Sequence, residues 1–316
     1  MIMPTSQFKD AAVLVSGVTG FIGRHLARAL NAAGAHVYGL SRADVSDFTD
    51  IHGFACDILD GARVNKIIHE IRPSHIFHLA ANKARSVGVL DFRQCIDHNL
   101  IGTLNLLEAC QLSSYKSRFI TLGTCEEYGG AEAPYFETMR EMPVSAYSFS
   151  KVAAAQLLQT FHRIHGLPIV VLRPSLAYGP GQGNEMFLPA LIWSLLRGRR
   201  FAMSRGEQTR DYVYIDDVIA ALLRAAVCPE ATGQVINVSS GEPSRIVDIA
   251  KLAADLIGNN AESLLDIGKI EYRQGEAINY WADRSKAKQL LGWEPNVTLH
   301  DGLARTVEHY RSIYTA

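Results

Sequence analysis

Hydrophobic positions recur along the first half of the chain in two alternating patterns. Ala11-Ala12-Val13-Leu14-Val15 is a short unbroken apolar run, as expected of a strand buried on both faces. After Gly23, Leu26, Ala27 and Leu30 fall on one face at helical spacing, with Arg24, His25 and Arg28 between them. The alternation continues: residues 35–40 predict a second strand, 53–56 a third, 75–79 a fourth, 118–122 a fifth and 168–172 a sixth. Helices are expected over 62–71, about 92–112 and 145–165, and Pro73 stops the first of these. Short strands joined by crossover helices give an α/β fold, a doubly wound parallel sheet. Past Arg173 the pattern loosens, with Pro174, Gly179, Pro180, Gly181 and Gly183 crowded together. A boundary is therefore expected between residues 1–174 and a smaller mixed α/β lobe over 175–316, with the chain crossing back around 211–227. The apolar segment 187–196 is read as a core helix.

The turn after the first strand carries the first chemical signal. Ser16-Gly17-Val18-Thr19-Gly20-Phe21-Ile22-Gly23 lies between strand and helix, where backbone N–H groups and a helix N-terminus can receive a dinucleotide pyrophosphate. Gly17 permits the tight turn, Gly20 lets the backbone approach the phosphates, and Gly23 lets helix and strand pack closely. Residues 1–174 are thus read as a Rossmann-type dinucleotide-binding domain and 175–316 as the substrate-binding lobe. At the end of the second strand an NAD-preferring site carries an acid for the ribose 2′-hydroxyl. Here Ser41-Arg42 stand instead, a pair suited to a 2′-phosphate. NADP(H) is favoured on that ground; Asp44 is close enough to keep NAD(H) open. Asp57-Ile58 is expected beside the adenine, with helix capping as the other role for Asp57. Leu79-Ala80-Ala81 ends the fourth strand with small residues, where a nicotinamide ribose can lie against the backbone.

Composition narrows the function classes. The chain has 316 residues, 48% hydrophobic and 20% charged, with a formal net charge of −1. Neither nucleic acid nor an anionic membrane is a natural partner for that balance. Cys56, Cys95, Cys110, Cys125 and Cys228 are scattered and lack C-x-x-C spacing, which argues against zinc and a disulfide framework. No leader-like or membrane-length apolar run is present in the sequence, so a cytoplasmic protein is expected. His162 and His165 share a helix face without a third ligand, so no metal is expected.

Tyr147-Ser148-Phe149-Ser150-Lys151 opens the helix after the fifth strand. A spacing of four places both functional groups on one face. A tyrosine with pKa ~10 is a poor acid–base group at neutral pH, and an adjacent ammonium lowers it. Thr124 lies just past the fifth strand, where its hydroxyl can bind the oxygen that Tyr147 protonates or deprotonates.

With these residues the chain resembles the extended short-chain dehydrogenase/reductase family, the nucleotide-sugar epimerases and dehydratases. Residues 98–109, with Asn99, resemble the family's Asn-bearing helix, and 172–182 the segment opening its substrate lobe. Residues 210–218 and 291–295 match two further signatures. The resemblance implies Thr124, Tyr147 and Lys151 as the catalytic set, Asn99 and Lys151 at the cofactor, and a nucleoside diphosphate sugar as substrate. It places Arg210 and Arg273 as candidates for gripping the diphosphate, and Cys125 and Glu126 at the sugar. It departs at Leu176, where many relatives carry an asparagine that contacts the diphosphate. It also implies a homodimer built on the two long helices.

The string Gly123-Thr124-Cys125-Glu126-Glu127-Tyr128-Gly129 bears on the reaction. Relatives that dehydrate or decarboxylate sugars have Thr-x-Glu here, the glutamate serving as C5 base. Simple 4-epimerases usually lack the acid, and 4,6-dehydratases often carry a general acid where Cys125 stands. The 4-keto-6-deoxyhexose reductases have a closely similar Ser-x-Glu-Glu-Tyr-Gly string and an arginine after the second strand. The first expectation is therefore reduction of a nucleotide-linked 4-keto sugar at C4, with Tyr147 as proton donor. The alternative is a redox-neutral 4-epimerase or 4,6-dehydratase that retains its nicotinamide. A non-catalytic dinucleotide sensor is the remote third.

Overall fold

Alternation of apolar side chains across each strand divides the core in two. β1 (Ala12–Ser16) sends Val13 and Val15 to one face of a sheet and Leu14 to the other, all fully buried. The computed structural model of the protein describes residues 5–43, 45, 50–84, 88–113, 116–272 and 277–315. Asp44 and Arg273, both weighed above, lie outside them.

From β1 the chain runs through α1 (Phe21–Ala32), β2 (His36–Ser41), β3 (His52–Ala55), α2 (Gly61–Ile71) and β4 (His75–His78). A long helical passage follows: α3 (Val89–Cys95), a π-helical turn Ile96–Ile101, and α4 (Gly102–Leu112). The hydrophobic period alone gives one regular helix here. The π turn arises where Asn99 is drawn inward to hold the Asn82 backbone and Gly102 seats on Ile58. Then come β5 (Arg118–Leu122), α5 (Ala146–His165) and β6 (Ile169–Pro174).

The second part opens with β7 (Leu176–Tyr178), α6 (Phe187–Leu196), β8 (Phe201–Met203), β9 (Thr209–Arg210) and β10 (Tyr212–Tyr214). α7 (Ile215–Val227) packs on α1 and β5, and β11 (Val235–Val238) pairs in parallel with β6. The hydrophobic pattern gives six strands; β11 supplies a seventh. Its polar Asn237, fully buried, accepts from Tyr128 and interrupts the apolar run that would have marked it. β12 (Ser244–Arg245), α8 (Ile246–Ile257), β13 (Leu265–Ile267), β14 (Asn279–Tyr280), α9 (Ser285–Leu291) and α10 (Leu299–Thr315) complete the order.

The main sheet reads β11-β6-β5-β4-β1-β2-β3 and is parallel throughout. Strand order reverses between β1 and β4, the place where such sheets open a crevice at their carboxyl ends. On one face, Leu14, Leu40, Ile76 and Leu106 pack together with α2, α4 and α5. On the other, one cluster runs from Val13 and Val15 through α7 to Leu188, Leu191 and Ile192 of α6, so α6 is core as expected. Asp217 at the start of α7 accepts from the backbone N–H of Asn296 (2.9 Å) and Val297 (3.1 Å), and its own carbonyl takes the Trp293 indole N–H (2.9 Å). That clasp gives the 210–218 and 291–295 signatures a structural role. No helix among the described residues is long and apolar enough to cross a membrane.

Candidate active site

The carboxyl ends of the central strands open into a cavity of about 770 Å³. One end is formed by the glycine turn, with Gly17, Thr19, Gly20, Phe21, Ile22 and Gly23, together with Ser41, Arg42, Ile58 and Leu79-Ala80-Ala81. Thr124, Glu126, Tyr147 and Lys151 line the other end, and Ser175, Leu176, Ala177 and Glu185 close it from the second part of the chain. Residues far apart in sequence thus meet around one space.

The turn fits a dinucleotide. Gly17 has φ +72°, and a Cβ there would stand 2.6 Å from the Ala80 nitrogen; one at Gly23 would stand 2.3 Å from the Gly17 carbonyl oxygen. No side chain caps the start of α1, so its first N–H groups face the cavity end. Ser41 shares a hydrogen bond with Thr19 (2.9 Å) and accepts from Ala43 N–H (3.1 Å). Arg42 reaches His98 at 3.0 Å; the His98 Nδ1–H donates to the Gln94 carbonyl, which leaves Nε2 to accept from the guanidinium.

A buried chain of hydrogen bonds ties this end to α5. Ala80 N–H points at Ser16 Oγ (3.4 Å), Ser16 meets His78 Nδ1 (2.7 Å), and His78 Nε2 meets Thr103 (3.0 Å), which donates to the Asn99 carbonyl (2.5 Å). Burial, with help from Lys151, lowers His78 to about 3, so its ring is neutral and the chain has one direction. Asn99 then donates to Ser150 (2.8 Å), and Ser150 to the Tyr147 carbonyl (2.8 Å).

α5 starts where Ser145 accepts from Ser148 N–H (3.1 Å), a hydroxyl cap that sets Tyr147 in the first turn and Lys151 in the next. Both are nearly buried. Burial lowers Lys151 to about 8, with the charge of Glu127 opposing that fall. Thr124 begins a 3-10 turn, Cys125–Glu127, and its hydroxyl accepts from Glu126 N–H (3.2 Å).

Four expected site residues do not line the cavity. Asp57 turns back to accept from Leu59 N–H (3.0 Å), the capping alternative. Asn99 serves the backbone of Asn82 instead of facing the cavity. Cys125 is fully buried, its thiol directed at the Arg173 carbonyl (3.3 Å) and pushed well up by burial. Arg210 donates to the carbonyls of Thr209 (2.8 Å) and Ala277 (2.9 Å). Conversely, Lys83, His98 and Glu185 line the cavity with no signal in the local pattern. The five cysteines are unpaired. Among the described residues no group of three or more His, Cys, Asp or Glu could hold a metal.

The model of the NAD dependent epimerase/dehydratase family matches residues 13–239, from β1 through the end of the seven-stranded sheet. The chain belongs to that family. Among its relatives is the UDP-glucose 4-epimerase of Mycolicibacterium smegmatis, 31% identical, covering 95% of this chain and 98% of the relative. The dTDP-glucose 4,6-dehydratase of Xanthomonas campestris is 29% identical, over 95% of this chain and 93% of its own. In structure, the chain is similar to a UDP-glucuronic acid 4-epimerase from Bacillus cereus, solved with UDP-glucuronic acid and NAD. The TM-score is 0.86 at 30% identity, over 96% of this chain and 99% of that one. Membership in the family makes this a nucleotide-sugar epimerase/dehydratase enzyme of NAD-dependent type.

Proposed function

We propose that the protein is a redox-neutral nucleotide-sugar 4-epimerase acting on a UDP-hexose with a retained nicotinamide. The similarity to the two 4-epimerases supports this over the reductase expectation. The observation that carries it against dehydration is Cys125. A dehydratase needs an acid for the departing C6 hydroxyl, and the thiol at that sequence position is directed into the protein, away from the cavity. A bound nicotinamide would take up and return the C4 hydride. Tyr147 removes the C4 hydroxyl proton and gives it back after the sugar has turned. Thr124 holds the C4 oxygen by its hydroxyl. Lys151 stabilises the Tyr147 phenolate and holds the ribose hydroxyls of the dinucleotide, and Glu126 orients the hexose. On this reading residues 1–174 hold the dinucleotide and 175–316 the sugar nucleotide, the chain returning to the first domain around 211–227.

The relatives support NAD. Ser41 and Arg42 support acceptance of a 2′-phosphate as well, so both dinucleotides are expected to bind.

The deciding experiment follows UDP-glucose with catalytic NAD by proton NMR and absorbance at 340 nm. UDP-galactose is expected to form to equilibrium with the absorbance flat. Stoichiometric loss of reduced cofactor against a 4-keto sugar, or a 4-keto-6-deoxy product, would overturn the reading.

A further inference from the structure

Behind the cavity lies a charged group that the proposed reaction does not use. Glu127 is fully buried in the 3-10 turn that begins at Thr124. One carboxylate oxygen accepts the Thr124 backbone N–H at 2.8 Å; the other accepts from Arg173 Nε at 2.8 Å and Nη2 at 2.6 Å. Arg173 is buried too, and is held in turn by Glu141 (2.7 Å) and the Tyr128 hydroxyl (3.0 Å). Tyr128 donates to Asn237 of β11 (2.8 Å), so the turn is anchored across β6 to the edge of the sheet. Burial pushes the Glu127 carboxyl up; the guanidinium, the Thr124 N–H and Lys151 oppose it. One guanidinium, donating through two N–H groups, and the Thr124 amide hold this carboxylate.

We propose that Glu127 is the positioning residue of this site, a buried carboxylate that fixes the Thr124 backbone against Arg173 and sets the negative charge of that ion pair against Lys151. The 3-10 turn packs directly on α5. The groups facing Lys151 are Glu127 from this turn, Tyr147 on its own helix, Glu126 in the shared cavity and neutral His78 from β4. Glu127 is the anion that sustains the ammonium against burial. The inference rests on the reading of Thr124, Tyr147 and Lys151 as the reacting set.

Two variants separate the halves of the role. Glu127→Gln keeps the size and an acceptor for Thr124 N–H but loses the charge. The Lys151 ammonium, followed by NMR titration of the protein without sugar, is expected to titrate about one pH unit lower than in the wild type. The alkaline limb of the kcat profile is expected to move with it, and kcat to fall about tenfold with KM for the sugar nucleotide within threefold. Glu127→Asp keeps the charge and shortens the reach. It should leave the titration in place and lower kcat about tenfold, and it carries the test if the glutamine variant does not fold. Glu141→Gln removes the other carboxylate on Arg173 and should leave the Lys151 titration unmoved. An unmoved titration in Glu127→Gln, an equal shift in Glu141→Gln, or wild-type kcat in Glu127→Asp would overturn the assignment. Wild-type turnover in Tyr147→Phe would instead sink the catalytic set itself, independently of any Lys151 titration.

Discussion

At the scale of single residues, burial decides which ionisable groups can work near neutral pH. Lys151 lines the cavity and His78 is buried in the hydrogen-bonded chain that leads to α5, and both lose affinity for protons because water is excluded. The consequences differ. At about 3, His78 stays neutral over the physiological range and acts as a fixed hydrogen-bond link, whereas Lys151, at about 8, remains a cation that can respond to its neighbours. Arg42 is the opposite case, an exposed guanidinium held by His98 at the mouth of the dinucleotide end. Arg42→Ala is expected to weaken NADP about tenfold, the low end for a hydrogen bond to a charged group (roughly 1.5–3 kcal/mol), and to leave NAD nearly unchanged. Titration calorimetry with both dinucleotides checks this; equal losses would remove Arg42 from the 2′-position.

Elements are placed here by a few polar side chains at their ends. Ser145 caps α5 and so sets the Tyr147–Lys151 pair relative to β5, while Asp217 joins α7 to the segment that follows α9. The residues of the clasp do not line the cavity, yet α7 packs on α1, which begins at the glycine turn. Asp217→Ala would leave the N–H groups of Asn296 and Val297 without their acceptor. Both N–H groups are only part-buried, so each lost hydrogen bond costs about 0.5–1.5 kcal/mol and a loss of about 1–3 kcal/mol is expected, with kcat per folded molecule preserved. Urea unfolding of the variant beside the wild type measures the first, and active-site titration the second. A variant with an unchanged urea midpoint would show that Asp217 does not hold the two segments together.

For the whole molecule, the long helices carry exposed apolar side chains that no internal contact explains. Val89 and Leu90 on α3, Leu112 on α4, and Phe149 and Ile164 on α5 are all exposed apolar side chains, Val89 at 80% and Leu90 at 74%. Exposed apolar side chains on these helices suit an interface with a second copy. We propose that the long passage from α3 to α4 and the helix α5 pair with their copies in a homodimer. Light scattering at micromolar concentration is expected to give twice the chain mass of 34.7 kDa. Leu90→Glu together with Ile164→Glu is expected to give a folded monomer. A monomeric wild type would refute the pairing.

Much of the fold was legible in the chain because its strands are short, apolar and separated by regular helical periods. Six of seven sheet strands follow from that pattern, as do the glycine turn and the Tyr147–Lys151 spacing, since each depends only on near neighbours in sequence. What lay beyond it depended on contacts between distant segments. β11 hides because Asn237 is satisfied by Tyr128, more than a hundred residues earlier. The π turn hides because Asn99 answers to Asn82 and Ser150, not to helical period. Cys125 and Glu126 are adjacent in sequence, yet the tight 3-10 turn sends one side chain into the core and leaves the other at the cavity. In sequence Glu127 stands out only as part of the Glu-Glu-Tyr-Gly string. Only the fold brings Arg173 beneath it, and that pairing makes a buried charge tolerable. Local spacing determined which groups the chain could offer; long-range packing, through exclusion of water and satisfaction of buried polar atoms, decided which of them face the cavity.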